Sequence, residues 1–127
     1  MFSMRPRTAL IAVFLSTASA AGPAGIYRPE EAALHVGEQA TVCGVVASSK
    51  YAAQSRGQPT FLNLGTPYPK HVFTALIWGD SRPAFPYAPE SLRGEGICVS
   101  GAIEHYKGKA EIIVTDPAQI TKAADRP

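Results

Sequence analysis

The stretch Gly96-Ile97-Cys98-Val99-Ser100-Gly101-Ala102-Ile103-Glu104-His105-Tyr106-Lys107-Gly108-Lys109-Ala110-Glu111-Ile112-Ile113-Val114-Thr115-Asp116-Pro117 sets two apolar, β-branched runs on either side of a short polar turn centred on Gly108. That pattern predicts a β-hairpin. Three runs upstream have the same character: Val42-Cys43-Gly44-Val45-Val46, Phe61-Leu62-Asn63-Leu64 and residues 72–78. The reading is five short strands in one small all-β domain, a class that binds more readily than it catalyses.

Residues 1–20 carry the three parts of a secretory signal: Arg5 and Arg7 near the start, an apolar core over residues 8–15, and small residues ending in Ala18-Ser19-Ala20. Cleavage is expected after Ala20, with Ala21 as the alternative junction, and no cysteine lies nearby to carry a lipid. The apolar core is far short of the roughly 20 residues that span a bilayer. The expectation is a periplasmic or secreted chain with no membrane insertion. Arg5 and Arg7 leave with the signal, so the 12 Lys and Arg fall to equal the 10 Asp and Glu. The basic precursor is therefore not a nucleic-acid footprint by itself.

Cys43 and Cys98 are the two cysteines, with no Cys-x-x-Cys pair. In an exported chain an even number favours a disulfide over a metal or redox site. Alternation puts each on the strand face opposite its apolar neighbours, so they can meet if their strands are adjacent.

Along the rest of the chain, residues 21–35 read as a leader followed by a short helix from Pro29 to His35, with proline and two glutamates in the first turn. A domain over residues 36–120 follows, then a tail over 121–127. The first strand is expected over residues 39–47, with Gly44 allowing a bend or bulge. Residues 48–59 read as a polar loop. Pro83, Pro86 and Pro89 forbid a helix over most of residues 81–88.

Val42-x-Gly44-x-Val46, Phe61-Leu62-Asn63-Leu64-Gly65 and Gly101-x-Ile103-x-x-Tyr106-x-Gly108-x-x-x-Ile112-x-Val114 are similar to the nucleic-acid-binding OB domains of the anticodon-binding and single-strand-binding type. The resemblance implies a five-stranded OB-fold Greek-key barrel, here with a short N-terminal helix and a degenerate connection between the third and fourth strands. It would place the first strand beside the fourth, and so Cys43 beside Cys98. The Pro29 to His35 helix is expected to plug the barrel in place of the missing connection helix.

In such domains the ligand crosses the second and third strands between the loops after the first and fourth. The expected ligand-binding residues are then Lys50, Tyr51 and Arg56 on one loop, Phe61, Asn63, Thr74 and Trp78 on the strands, and Tyr106, Lys107 and Lys109 on the other loop. Leu62 and Leu64 should point inward. The competing readings are core filling for Phe61 and Trp78, a turn tie for Asn63, and solvated turn residues for the lysines, diluted by Glu104 and Glu111.

No catalytic constellation emerges. His35, His71 and His105 lack metal-ligand spacing, and Asp80, Asp116 and Asp125 do not assemble the calcium site that staphylococcal-type nucleases on this barrel need. The expectation is a non-enzyme without metal or cofactor. Two function classes remain: an exported module for single-stranded nucleic acid or another polyanion, and an OB module for an envelope protein or oligosaccharide, like small exported bacterial OB proteins associated with stress.

Overall fold

The computed structural model describes residues 24–123, so the signal reading of residues 1–20 and the end of the tail lie outside it. The strands among the described residues are β1 (Ile26–Tyr27), β2 (Gln39–Tyr51), β3 (Thr60–Leu64), β4 (Phe73–Ile77), β5 (Gly96–Tyr106), β6 (Lys109–Ile113) and β7 (Ile120–Lys122). Strands β2 to β6 close a barrel in the order β2-β3-β4-β6-β5, returning to β2 through a β2–β5 pairing. Neighbours are antiparallel except β4 and β6, which run parallel. The architecture is the all-β OB barrel.

Closure depends on β2 serving two partners. Residues 39–45 pair with β5, and residues 46–51 pair with β3 after a register shift between Val46 and Ser48. The irregularity therefore lies beyond Gly44, where the sequence reading put it. It also does not end the strand: Ser48 to Tyr51 continue it, correcting the assignment of Lys50 and Tyr51 to a loop. Their polar composition hid a strand with one face in solvent.

Alternation fills the interior. Val42, Val46, Leu62, Leu64, Phe73, Ala75, Ile77, Ile97, Val99, Ile103, Ile112 and Val114 are all buried in one core. Pro29–His35 forms a 3-10 helix, packed on β2, β4, β5 and β6 with Pro29 and Ala32 buried, and plugs the barrel as expected.

The proline-rich connection from β4 to β5 contains no α-helix. It folds as two 3-10 turns, Gly79–Ala84 and Pro89–Leu92, which contribute Phe85 and Leu92 to the core. Arg82 fastens the connection: it forks onto Glu90 at 2.7 and 2.8 Å, donates to Thr60 Oγ1 at 2.9 Å, and lies 3.6 Å from the Tyr51 ring centroid. Such bidentate geometry is the strong form of an ion pair.

Cys43 and Cys98 stand directly opposite each other on β2 and β5 and form a disulfide, their Cα atoms 4.0 Å apart. The predicted hairpin is β5–β6, turning through Lys107 (φ 48°) and Gly108 (φ 79°), the two positive angles of a type I′ turn. Two segments are more ordered than their composition suggested. The leader contains β1, which runs parallel to β2, and the tail contributes Thr121 and Lys122 to β7, which pairs with β5. Asp116 and Gln119 form a capping box that aims the chain into β7.

Candidate ligand-binding groove

The registers lay out the outer face of the barrel in rows. Ser48 stands opposite Asn63, Asn63 opposite Thr74, Thr74 opposite Glu111 and Glu111 opposite Glu104. One row along lie Lys50, Phe61, Leu76 and Ile113. A polar row thus runs beside an apolar one that begins with a cation.

Over the β2–β3 end of these rows is a groove of about 530 Å³, lined by Ser48, Ser49, Lys50, Ala52, Ser55, Phe61, Asn63, Tyr68 and His71. Its two rims are the loop over residues 52–59 and the loop over residues 65–72. The second rim is tied down at several points. The Tyr68 N–H donates to Ser48 Oγ at 2.9 Å, and the Lys109 ammonium donates to the carbonyls of Pro69 and His71, each at 2.9 Å. Lys109 Nζ also lies 3.4 Å from His71 Nδ1, and the rings of His71 and Tyr68 stack with centroids 5.6 Å apart.

Of the expected ligand residues, Lys50, Phe61 and Asn63 come together in this groove. Asn63 is buried, donating to Ser48 Oγ at 3.0 Å and accepting from the Thr74 hydroxyl at 2.8 Å. Its amide and the buried Thr74 join three strands, so both side chains already serve the barrel, and of the two only Asn63 lines the groove. Tyr51 leaves the set altogether, because alternation turns it from the Lys50 side and its ring carries the Arg82 guanidinium. Lys109 is a strut of the rim. Trp78 is 42% exposed, outside the core, and packs by Gly57, where an added Cβ would come within 2.9 Å of the indole. Arg56 is exposed on the first rim, and Tyr106 and Lys107 are exposed at the hairpin tip, with Lys107 Nζ 5.3 Å from the Tyr106 ring centroid.

The sequence reading missed Ser48, Ser49, Ala52, Ser55, Tyr68 and His71. Ser48 was within reach, since it shares the period-2 phase of Lys50. Tyr68 and His71 had no comparable signal, because they reach the groove through a loop fastened by Lys109 from a distant strand.

The cations of the described residues divide into paired and unpaired sets. Among the described residues, Lys50, Arg56, Lys70 and Lys107 make no ion pair, whereas Arg28, Arg82 and Lys122 are each paired with glutamate. On the same outer face, burial and the neighbouring Glu104 push the Glu111 carboxyl above its usual range. Burial and the Lys109 ammonium push the His71 imidazole below its own.

No family model and no curated protein matches this chain. Among solved structures, a protein assigned as an aspartyl-tRNA synthetase from Leishmania major Friedlin is similar over 84% of this chain at 10% identity, with a TM-score of 0.45. This chain spans 22% of that protein's length. The fold assignment stands on the strand order and registers described above.

Proposed function

We propose that this chain is an OB-fold binding module that takes single-stranded nucleic acid, or a polyanion of similar spacing, in the groove on the outer face of β2 and β3. The observation that carries this reading is Lys50 standing directly opposite Phe61 at the groove, a cation beside an aromatic ring. Base stacking on such a ring contributes roughly 1–3 kcal/mol. Arg56, Lys70 and Lys107 supply further cations not spent on internal pairs. The module acts by binding alone, and its disulfide is compatible with an oxidising, exported setting. A signal over residues 1–20 belongs to this proposal.

The test is fluorescence anisotropy of labelled single-stranded DNA and RNA with the oxidised protein. With about three phosphate contacts, affinity should fall roughly an order of magnitude between 50 and 200 mM salt. Phe61→Ala and Lys50→Ala should each weaken binding. Absence of binding at low salt, or binding indifferent to salt, would refute the reading.

A second reading has its own support. The groove includes three serines, and Glu104 and Glu111 share the outer face, a combination that suits a neutral, hydroxyl-rich oligosaccharide. Salt-insensitive binding of a neutral glycan would favour it.

A further inference from the structure

We propose that His71 is the pH-dependent anion contact of this groove: neutral, its Nδ1 accepts from the Lys109 ammonium, and protonated, its ring leaves Lys109 and joins Lys50 in facing the ligand's phosphates. This inference rests on the reading of the groove as a polyanion site.

The geometry sets a choice for the imidazole. Lys109 Nζ lies 3.4 Å from Nδ1 and can only donate, so the contact requires an acceptor nitrogen and hence a neutral ring. Protonation replaces it with two donors and two like charges. Lys109 is held independently by the carbonyls of Pro69 and His71 at 2.9 Å, so the imidazole is the partner that yields. Both His71 and the Tyr68 ring stacked on it line the groove, and the ring has open space on that side.

The ionisable groups around the groove reinforce this. Lys109 faces the ring from β6, Tyr68 stacks on it from its own loop, and Lys50 lines the groove from β2. Glu111, two residues along β6 from Lys109, stands opposite Thr74. Among the described residues no carboxylate forms an ion pair with His71. The free protein therefore disfavours the imidazolium, in keeping with its lowered pKa. A bound phosphate oxygen supplies the missing counter-charge and raises that pKa. By linkage, affinity then rises as pH falls through the titration of His71.

The test is anisotropy of a labelled oligothymidylate from about pH 8 to about pH 5.5 at constant ionic strength, for the wild type and His71→Gln, with the His71 titration followed by NMR. A one-unit rise in the His71 pKa on binding corresponds to about a tenfold gain in affinity at the acid end. The expected result is that gain in the wild type, its loss in His71→Gln, and no comparable gain for a peptide nucleic acid with an uncharged backbone. Binding with the same pH profile in His71→Gln would overturn this inference and leave the groove reading standing. Failure of the oligothymidylate to bind at any pH would overturn both.

Discussion

Pro29 is seated on Gly44: a Cβ added to Gly44 would come within 2.7 Å of the proline Cγ. Gly65 makes a similar bed, where a Cβ would lie 3.2 Å from Pro29. The N-terminal 3-10 helix thus closes on the barrel where one strand position, Gly44, and the residue just after β3, Gly65, have no side chain. Gly44→Ala is expected to cost about 1–3 kcal/mol through overpacking. A urea midpoint equal to that of the wild type would show that the helix can shift at no cost.

The Cys43–Cys98 bond closes a loop of 55 residues. In the chain-entropy model such a closure stabilises the fold by about 4 kcal/mol. The Cys43→Ala/Cys98→Ala double variant should unfold at a correspondingly lower urea concentration, and the wild type under reductant should approach it. A double variant as stable as the oxidised protein would contradict this.

Asn63→Ala should act on stability before it acts on binding. The substitution leaves the buried Thr74 hydroxyl without its acceptor and removes one of the donors to Ser48 Oγ. The expected loss is about 1–3 kcal/mol. Thermal unfolding measures it, and an unchanged melting temperature with weakened oligonucleotide binding would instead return Asn63 to the ligand.

Glu111 gives a pH dependence with a definite sign. Its folded-state pKa is raised, by burial first and by Glu104 second. The native state therefore holds a proton that the unfolded chain has released, and stability rises as pH falls through the folded value. At neutral pH the carboxylate is a liability. Glu111→Gln should melt higher than the wild type at pH 7, with the gap closing below about pH 4, where both states are protonated. A variant less stable at pH 7 would refute this.

How much of this was legible follows from which physical signal each residue sent. The hairpin around Lys107-Gly108, the inward Leu62 and Leu64, and the phase of both cysteines follow from period-2 alternation and turn chemistry, which are local. The serines and Lys50 at the end of β2 looked like loop because an outward-facing strand segment is polar. Tyr51 and Lys109 read as ligand residues in sequence, since a free cation or ring is indistinguishable there from one engaged internally. Arg82, which anchors Tyr51, lies in the proline-rich stretch that read only as a helix breaker. His71 looked like an isolated histidine, and its setting is created by Lys109 across the fold.

The double pairing of β2 also sets when this molecule can exist. Its bonded partner in β5 lies 55 residues downstream, so a chain made from its N-terminus exposes an unfilled edge of β2 until β5 has been synthesised. Closure is a late event of high contact order, and folding of this kind is slow. Truncated products ending before β5 would carry that open edge, a template for pairing with other chains. Quality control during synthesis should thus weigh on this protein most heavily in the interval between the appearance of residue 51 and residue 106.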